Sequence, residues 1–208
     1  YSQFIVMPGE FIHKVPNGLD LKTACLAEPL AVVLRAIRRI KNRLKNDDNI
    51  AIIGAGPIGN LCCQVLSGSG YSVTVFDKNK DRLKILKNKA KGTFQALAGL
   101  NNFKVIIEAT GSKEILEQVL QESKTDATIL LLGFPYGSIA YNFEDIPGKE
   151  KFIAGSVGGE WEDFKKALEL LPELDTAPFT QAVFPLNDFS KAWQLQKTGK
   201  HLKIILKP

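Results

Sequence analysis

Residues 49–60 read NIAIIGAGPIGN, and this stretch decides the fold. Residues 49–53 form a short apolar run of strand character, and residues 57–66 follow the glycine turn with helical character. The turn has the spacing Gly-x-Gly-x-x-Gly, and a second strand-like run, YSVTVF, ends in an acid at Asp77. Strand, glycine turn, helix, second strand and acid in this order are typical of a dinucleotide-binding unit.

Each glycine of the turn has a separate physical role. Gly54 permits the tight turn, Gly56 lets the backbone approach a pyrophosphate, and Gly59 lets the helix pack closely on the sheet. Pro57 suits the first helical position, because its missing N–H would be unpaired there. The free N–H groups of this first turn, which includes Ile58, favour phosphate binding.

The acid at the end of the second strand indicates the cofactor. A carboxylate at Asp77 accepts hydrogen bonds from the adenine-ribose hydroxyls and repels a 2′-phosphate. Cationic side chains at Lys78, Lys80 and Arg82 could soften that repulsion. The sequence therefore favours NAD, and NADP stays open.

The remaining strand signals predict an α/β fold with a doubly wound parallel sheet. Residues 104–109 and 127–133 are continuous apolar runs, as in strands that are buried on both faces. Each run ends in a polar or glycine-containing loop, at Thr110-Gly111-Ser112 and at Gly133-Phe134-Pro135. Ligands of open α/β sheets bind at such strand ends, so we expect Thr110, Gly111, Gly133 and Phe134 to contact the cofactor.

The chain divides into a central domain with two flanking pieces. We predict a nucleotide-binding domain at 28–172, preceded by 1–27 and followed by 173–208. Its further helices are expected at 79–89, 113–122 and 160–171, with Ser112 as an N-cap and a last strand at 152–157. The flanks are expected to hold short strands at 4–7, 11–12, 181–184 and 202–206, and a helix at 188–197.

Composition excludes several other classes of protein. The 208 residues carry a net charge of +5, with much of the positive charge between Arg35 and Lys45. No aromatic interleaving accompanies that stretch, so it indicates a solvated helix face rather than a nucleic-acid site. The longest apolar runs are too short to span a membrane. Three cysteines and two histidines without metal-ligand spacing indicate a reducing, cytoplasmic setting and no self-contained zinc site.

A set of motifs resembles one enzyme family. In order, these motifs are AEPLAVVLRA, AIIGAGPIGN, Asp77, IEATGS, LLLGFP and KIILKP. Together they resemble the cofactor-binding half of zinc-dependent medium-chain alcohol and polyol dehydrogenases, of the sorbitol and threonine dehydrogenase type. The fold implied is a Rossmann-type sheet, flanked by remnants of a β-rich catalytic domain that would lie mostly upstream of Tyr1.

The resemblance implies a reaction, partners and residue roles. The reaction is hydride transfer between a secondary alcohol or polyol and NAD, with zinc in the full-length enzyme. Arg82 matches a basic residue along the adenosine, Phe134 a residue beside the nicotinamide, and Glu28 a carboxylate close to the zinc. A homodimer through the strand at 152–157 is expected, and so is inactivity of this portion alone. The stretch between Lys89 and Lys104 is short, which puts the third strand in doubt.

Three other interpretations remain to be weighed. A zinc-free, NADPH-dependent quinone or enoyl reductase of the same superfamily usually lacks an acid at the position of Asp77. A non-catalytic NAD-sensing domain shares the glycine turn and the acid, but it does not explain the flanking segments. A methyltransferase usually has a glycine motif of the form G-x-G-x-G, which differs from the spacing here.

Overall fold

The computed structural model describes residues 1–138 and 140–208. They form two compact units, one of Arg35–Val157 and one of Tyr1–Leu34 with Gly158–Pro208. The helices are α1 (Leu21–Ala24), α2 (Ala27–Arg39), α3 (Pro57–Gly68), α4 (Lys80–Leu86), α5 (Lys113–Glu122), α6 (Asp145–Gly148), α7 (Trp161–Leu170) and α8 (Phe189–Lys197). The strands are β1 (Asn49–Ile53), β2 (Ser72–Phe76), β3 (Gly92–Phe94), β4 (Val105–Glu108), β5 (Thr128–Leu131), β6 (Phe152–Gly155), β7 (Ala182–Pro185) and β8 (Ile204–Lys207).

The unit Arg35–Val157 is built on a parallel sheet. Within the described residues the sheet has six strands in the order β3-β2-β1-β4-β5-β6, and every neighbouring pair is parallel. The chain winds outward from β1 to β3 and then returns to β4 on the other side of β1. This reversal creates a crevice at the carboxyl ends of β1 and β4. The predicted doubly wound α/β fold is confirmed.

Apolar side chains hold the helices on this sheet. Every residue of β4 is buried, as are four of the five residues of β1. One cluster joins the sheet to α5 through Ala51, Ile53, Phe76, Leu100, Ile106, Leu116, Val119, Leu120 and Ile129. Burial of such side chains stabilises the fold by about 1.5–3 kcal/mol each for the larger ones. The apolar runs of the sequence therefore lie where a parallel sheet needs them.

For several helices and strands, the bounds predicted from the sequence agree with the observed ones. Strand β1 covers 49–53 and helix α5 covers 113–122, as expected. The Ser112 hydroxyl accepts a hydrogen bond from the Ile115 N–H at 3.3 Å, so the predicted N-cap is formed. The doubtful third strand exists as the three-residue β3, paired with β2. Helix α4 ends earlier than predicted, because residues 87–91 turn back to place β3 beside β2.

The predicted strands at 4–7 and 11–12 are wrong. Among the described residues, this segment contains only a single 3₁₀ turn at Gly9–Phe11. The side chains of Phe4 and Val6 are 89% and 100% exposed. Strand character in the sequence does not make a strand without a paired neighbour, because an isolated strand leaves its backbone groups without ladder hydrogen bonds.

The unit formed by the two ends of the chain contains its own parallel pair. Strands β7 and β8 pair in register from Ala182 opposite Ile204, and α8 connects them. The His13 ring stacks on Trp161 with 3.6 Å between the ring centroids.

No helix in the described part of the chain is both long and apolar enough to cross a bilayer. The compact units divide at 34/35 and 157/158, whereas the predicted functional domain runs from 28 to 172.

The tight contact at Gly59 generates the first prediction. A Cβ at this position would lie 1.8 Å from the Gly54 carbonyl oxygen, so we expect Gly59→Ala to lower the free energy of unfolding by about 3 kcal/mol or more. Gly68→Ala is the matched control in the same helix, because its Cβ would meet nothing within 4 Å. The control should leave stability unchanged or raise it by up to about 1 kcal/mol. Urea unfolding measures both, and equal stability of the two variants would contradict this packing.

Candidate functional site

The glycine turn after β1 is held by contacts that leave no room for a side chain at Gly54 or Gly59. Gly54 adopts φ +104°, and its N–H donates to the Phe76 carbonyl at 2.7 Å. A Cβ on Gly54 would lie 3.0 Å from Thr110 Cγ2 and 3.2 Å from the Ala109 carbonyl. Together with the Gly59 contact, this packing fixes the start of α3 at the crevice between β1 and β4.

The amino terminus of α3 faces open space. Gly56 is the N-cap residue and Pro57 occupies the first turn, and in the described chain no side chain caps this end. A Cβ on Gly56 would have one neighbour within 4 Å, the Arg82 guanidinium at 3.9 Å. The first N–H groups of a helix have no partners within the helix, and they carry partial positive charge. This twelve-residue helix therefore presents an anion-binding end beside a cationic side chain.

Asp77 lies directly after β2 with its carboxylate fixed by backbone donors. One oxygen accepts from the Ala55 N–H at 2.7 Å and the other from the Asn79 N–H at 2.8 Å. Asn79 in turn caps α4, accepting from the Arg82 N–H at 3.3 Å. Each Asp77 oxygen keeps a lone pair for a hydroxyl donor. The acid thus has the fixed orientation that recognition of a ribose diol requires.

A buried carboxylate organises the loop after β4. Glu108 is 1% exposed, and its Oε1 accepts from the Thr110 N–H at 2.6 Å and the Gly111 N–H at 3.1 Å. The Thr110 hydroxyl donates to the same oxygen. The sequence motifs did not assign this residue a role, although an acid that ends the apolar run KVIIE is a visible signal. A buried acid needs donors, and the loop that follows supplies them.

The loop after β5 packs directly on the loop after β4. The Gly133 N–H donates to the Glu108 carbonyl at 3.1 Å. A Cβ on Gly133 would lie 2.2 Å from the Gly111 nitrogen, and one on Gly111 would lie 3.0 Å from the Phe134 nitrogen. Phe134 is 56% exposed, and its ring stacks on Tyr136 with centroids 6.3 Å apart. Two glycines therefore allow backbone-to-backbone contact at this sheet edge.

A cleft of about 750 Å³ brings together most of the predicted site residues. The predicted residues that line this cleft are Gly54, Gly56, Pro57, Asp77, Lys78, Arg82 and Thr110. Residues that were not predicted to contact the cofactor also line it: Gln95, Leu97, Ser112, Glu114, Ile115 and Gln118. Gly59 is buried behind the turn, and Ile58 is half-buried in the same helical turn.

A second cleft, of about 380 Å³, contains Gly133 and Phe134. It lies at the carboxyl ends of β5 and β6, and Arg35, Arg39, Gly155, Ser156 and Val157 contribute to its walls. Gly111 lines neither cleft and lies between them, in contact with Gly133 and Phe134. The site residues thus form two neighbouring groups at one edge of the sheet.

The candidate zinc residue stands apart from other metal-ligating groups. Glu28 is exposed in the first turn of α2. Across residues 1–138 and 140–208, no three His, Cys, Asp or Glu side chains come together as a possible metal site. Burial raises the pKa of the Cys63 thiol to about 11 and that of Cys62 further still, so neither thiol readily becomes a thiolate ligand. The described donor set does not fit zinc.

Comparisons with known proteins identify the family of this chain. Residues 57–173 match the family described as "Zinc-binding dehydrogenase", which is more than half of the chain. The chain belongs to this family, and the resemblance inferred from its motifs is confirmed.

Three similar proteins extend this assignment. Sorbitol dehydrogenase of Halalkalibacterium halodurans is 26% identical over 225 residues, an alignment that covers all of this chain and 65% of the relative. The short-chain alcohol dehydrogenase of Escherichia coli CFT073, solved with NADH, has a TM-score of 0.84 at 21% identity, covering 96% of this chain and 63% of that one. TarJ of Staphylococcus aureus, solved with NADPH, has a TM-score of 0.82 at 22% identity, and the match covers 93% of this chain and 66% of TarJ. The two structures establish the shared fold, and the chain spans just under two thirds of the sorbitol dehydrogenase.

Proposed function

We propose that this chain is the NAD-binding part of an oxidoreductase that transfers hydride between a secondary alcohol or polyol and NAD. One observation carries the proposal. The fixed carboxylate of Asp77 and the uncapped amino terminus of α3 face the same cleft. A diol acceptor and a diphosphate-binding helix end at this spacing are what an adenosine diphosphate group needs.

The arrangement defines an orientation for the cofactor. We place the adenine ribose at Asp77 and the diphosphate over Gly56 and Pro57, with Arg82 beside it. The nicotinamide half then extends past β1 toward the loops that carry Thr110 and Phe134, because Thr110 lines the same cleft and the two loops pack on each other at Gly111. A cleft of about 750 Å³ is within the size range of small-molecule sites, roughly 300–1,000 Å³.

The chain's own residues would bind and orient the cofactor. When bound, NAD supplies a carbon that accepts or donates hydride. The glycine turn and α3 fix the diphosphate, and the packed loops after β4 and β5 fix the other half. Sorbitol dehydrogenase among the relatives supports a polyol or secondary alcohol as substrate. We propose residues 28–172 as the NAD-binding domain, with 1–27 and 173–208 as parts of a catalytic domain.

A preference for NADPH is the second candidate. Lys78 and Arg82 both line the cleft, and cations near the ribose favour a 2′-phosphate. The neighbour TarJ was solved with NADPH. Asp77 opposes this candidate, since its carboxylate would lie against the extra phosphate.

Titration calorimetry with NAD⁺ and NADP⁺ tests the function and the preference together. We expect the chain to bind NAD⁺ more tightly, and Asp77→Ser to weaken NAD⁺ binding about tenfold, because charge-assisted hydrogen bonds are lost. The same variant should reduce the difference in affinity between NAD⁺ and NADP⁺. Asp81→Ser is the matched control, because Asp81 is exposed and pairs with Lys84 outside the cleft. If the chain binds neither nucleotide, the proposed function is refuted. If it binds NADP⁺ more tightly than NAD⁺, the proposed preference for NAD is refuted.

We further propose that these 208 residues bind NAD without oxidising alcohols by themselves. The described residues bring no three metal-ligating side chains together, and Glu28 is exposed. With Zn²⁺, NAD⁺ and sorbitol supplied, the absorbance of NADH should increase no faster than in a blank without the protein. Rapid polyol oxidation by the chain, whether or not a chelator abolishes it, would show that the proposal is wrong.

Strand β6 supports a proposed homodimer. Among the described residues it pairs only with β5, which leaves an unpaired strand edge. Gly155 in this strand is exposed, and a side chain there would meet nothing within 4 Å. Sedimentation should show a dimer that Gly155→Lys dissociates by placing like charges at the edge. Gly148→Lys, equally open but outside β6, should remain dimeric. A wild-type monomer at high concentration would exclude this interface.

A further inference from the structure

Glu108 and the residue after it join three backbone segments of the candidate site. Its Oε1 accepts both N–H groups at the start of the loop 110–112, and its own carbonyl accepts the Leu132 and Gly133 N–H groups at 2.8 and 3.1 Å. The following Ala109 N–H donates to the Ile53 carbonyl at 2.9 Å, directly before the glycine turn. Glu108 and Ala109 together therefore connect the ends of β1, β4 and β5.

The second carboxylate oxygen of Glu108 has an unusual environment. Among the described residues, Oε2 is buried without a hydrogen-bond partner. It lies against Gly133, where an added Cβ would be 2.5 Å away. Leaving a buried acceptor unpaired costs about 1–3 kcal/mol, which offsets part of the stability gained from the hydrogen bonds at Oε1. A partly satisfied buried acid of this kind is an exception that is expected at functional sites.

The hydrogen bonds to Oε1 set the conformation of the next residues. Gly111 adopts φ +70°, and the Thr110 hydroxyl both donates to Glu108 and accepts from the Ser112 N–H at 3.0 Å. An added Cβ on Gly54 would lie 3.0 Å from the Thr110 methyl carbon, so the same side chain also packs close to the glycine turn. A shift of the loop would break these bonds and the backbone contact between Gly111 and Phe134 together.

We propose that Glu108 is the positioning residue for the nicotinamide half of the cofactor. It acts without contact with the ligand, since its carboxylate is buried and lines neither cleft. It holds the loops 110–112 and 133–134 in the geometry that binding requires. This inference rests on the proposed NAD function and goes beyond it, because it assigns separate determinants to the two halves of the cofactor.

Binding of NADH and of ADP to variants of the 208-residue chain separates these determinants. ADP occupies only the part of the cleft at Asp77 and Gly56. Glu108→Ala should weaken NADH binding about tenfold and leave ADP binding within about twofold, because only the loop side is released. Glu108→Gln keeps an oxygen for the loop donors and should rescue most of the NADH affinity. Glu117→Ala, which removes a carboxylate on α5 that accepts from Gln121, should change neither affinity.

Hydrogen exchange supplies a second readout. In the ligand-free Glu108→Ala chain, the amides of Thr110 and Gly111 should exchange faster, whereas β2 and α3 keep their protection. If Glu108→Ala does not fold, Thr110→Val tests the same connection. Valine keeps the methyl contact with Gly54 and loses the hydroxyl, so NADH binding should weaken selectively, whereas Thr110→Ser should retain it.

Three outcomes would overturn the proposal. They are unchanged NADH binding in both Glu108→Ala and Thr110→Val, equal losses of NADH and ADP affinity, and faster exchange spread over the whole sheet. Failure of the wild-type chain to bind ADP and NADH would instead refute the proposed function. The two failures are therefore distinguishable in one set of titrations.

Discussion

The close contact between Gly59 and the carbonyl oxygen of Gly54 is the constraint on which the site depends. A Cβ at Gly59 would lie 1.8 Å from that oxygen, so only glycine lets α3 begin directly beside β1. This position brings the helix end to the crevice where the strand order reverses. Without it, the partial positive charge of α3 would lie away from Asp77, and no single cleft would contain both.

Two acidic side chains fix loops of the site, each by accepting hydrogen bonds from backbone N–H groups. Asp77 ends β2 and accepts the Ala55 and Asn79 N–H groups, whereas Glu108 ends β4 and accepts the Thr110 and Gly111 N–H groups. Each carboxylate thus fixes a loop at the carboxyl edge of the sheet. They differ in exposure, since Asp77 is half-buried beside the cleft and Glu108 is buried. One acid is therefore available to a ligand, and the other acts on the loops.

The charges around the cleft bear on the choice of cofactor by different mechanisms. Lys78 is exposed, so solvent and salt screen its attraction for a phosphate. Asp77 is held in place by two hydrogen bonds, so its carboxylate keeps a fixed position beside the cleft. This fixed charge is the physical reason for the proposed preference for NAD.

The sequence by itself determined the features that rest on neighbouring residues. The glycine spacing, the apolar run of β1, the N-cap at Ser112 and the acid after β2 are local signals, and their physical causes act within a few residues. Family membership followed from the same motifs in order. Seven of the residues that line the larger cleft, from Gly54 to Thr110, could be named in this way.

Only the tertiary structure decided what depends on distant segments. The three-residue β3 exists because β2 offers it a partner, whereas residues 4–7 have strand-like side chains and form no strand. The contact of Gly111 with Phe134 joins loops far apart in sequence, and no local pattern encodes it. Glu108 looked like the end of an apolar strand, and its role became visible when the loops folded around its carboxylate. Hydrogen bonds and packing between separate strand ends are non-local, so the chain must fold before they exist.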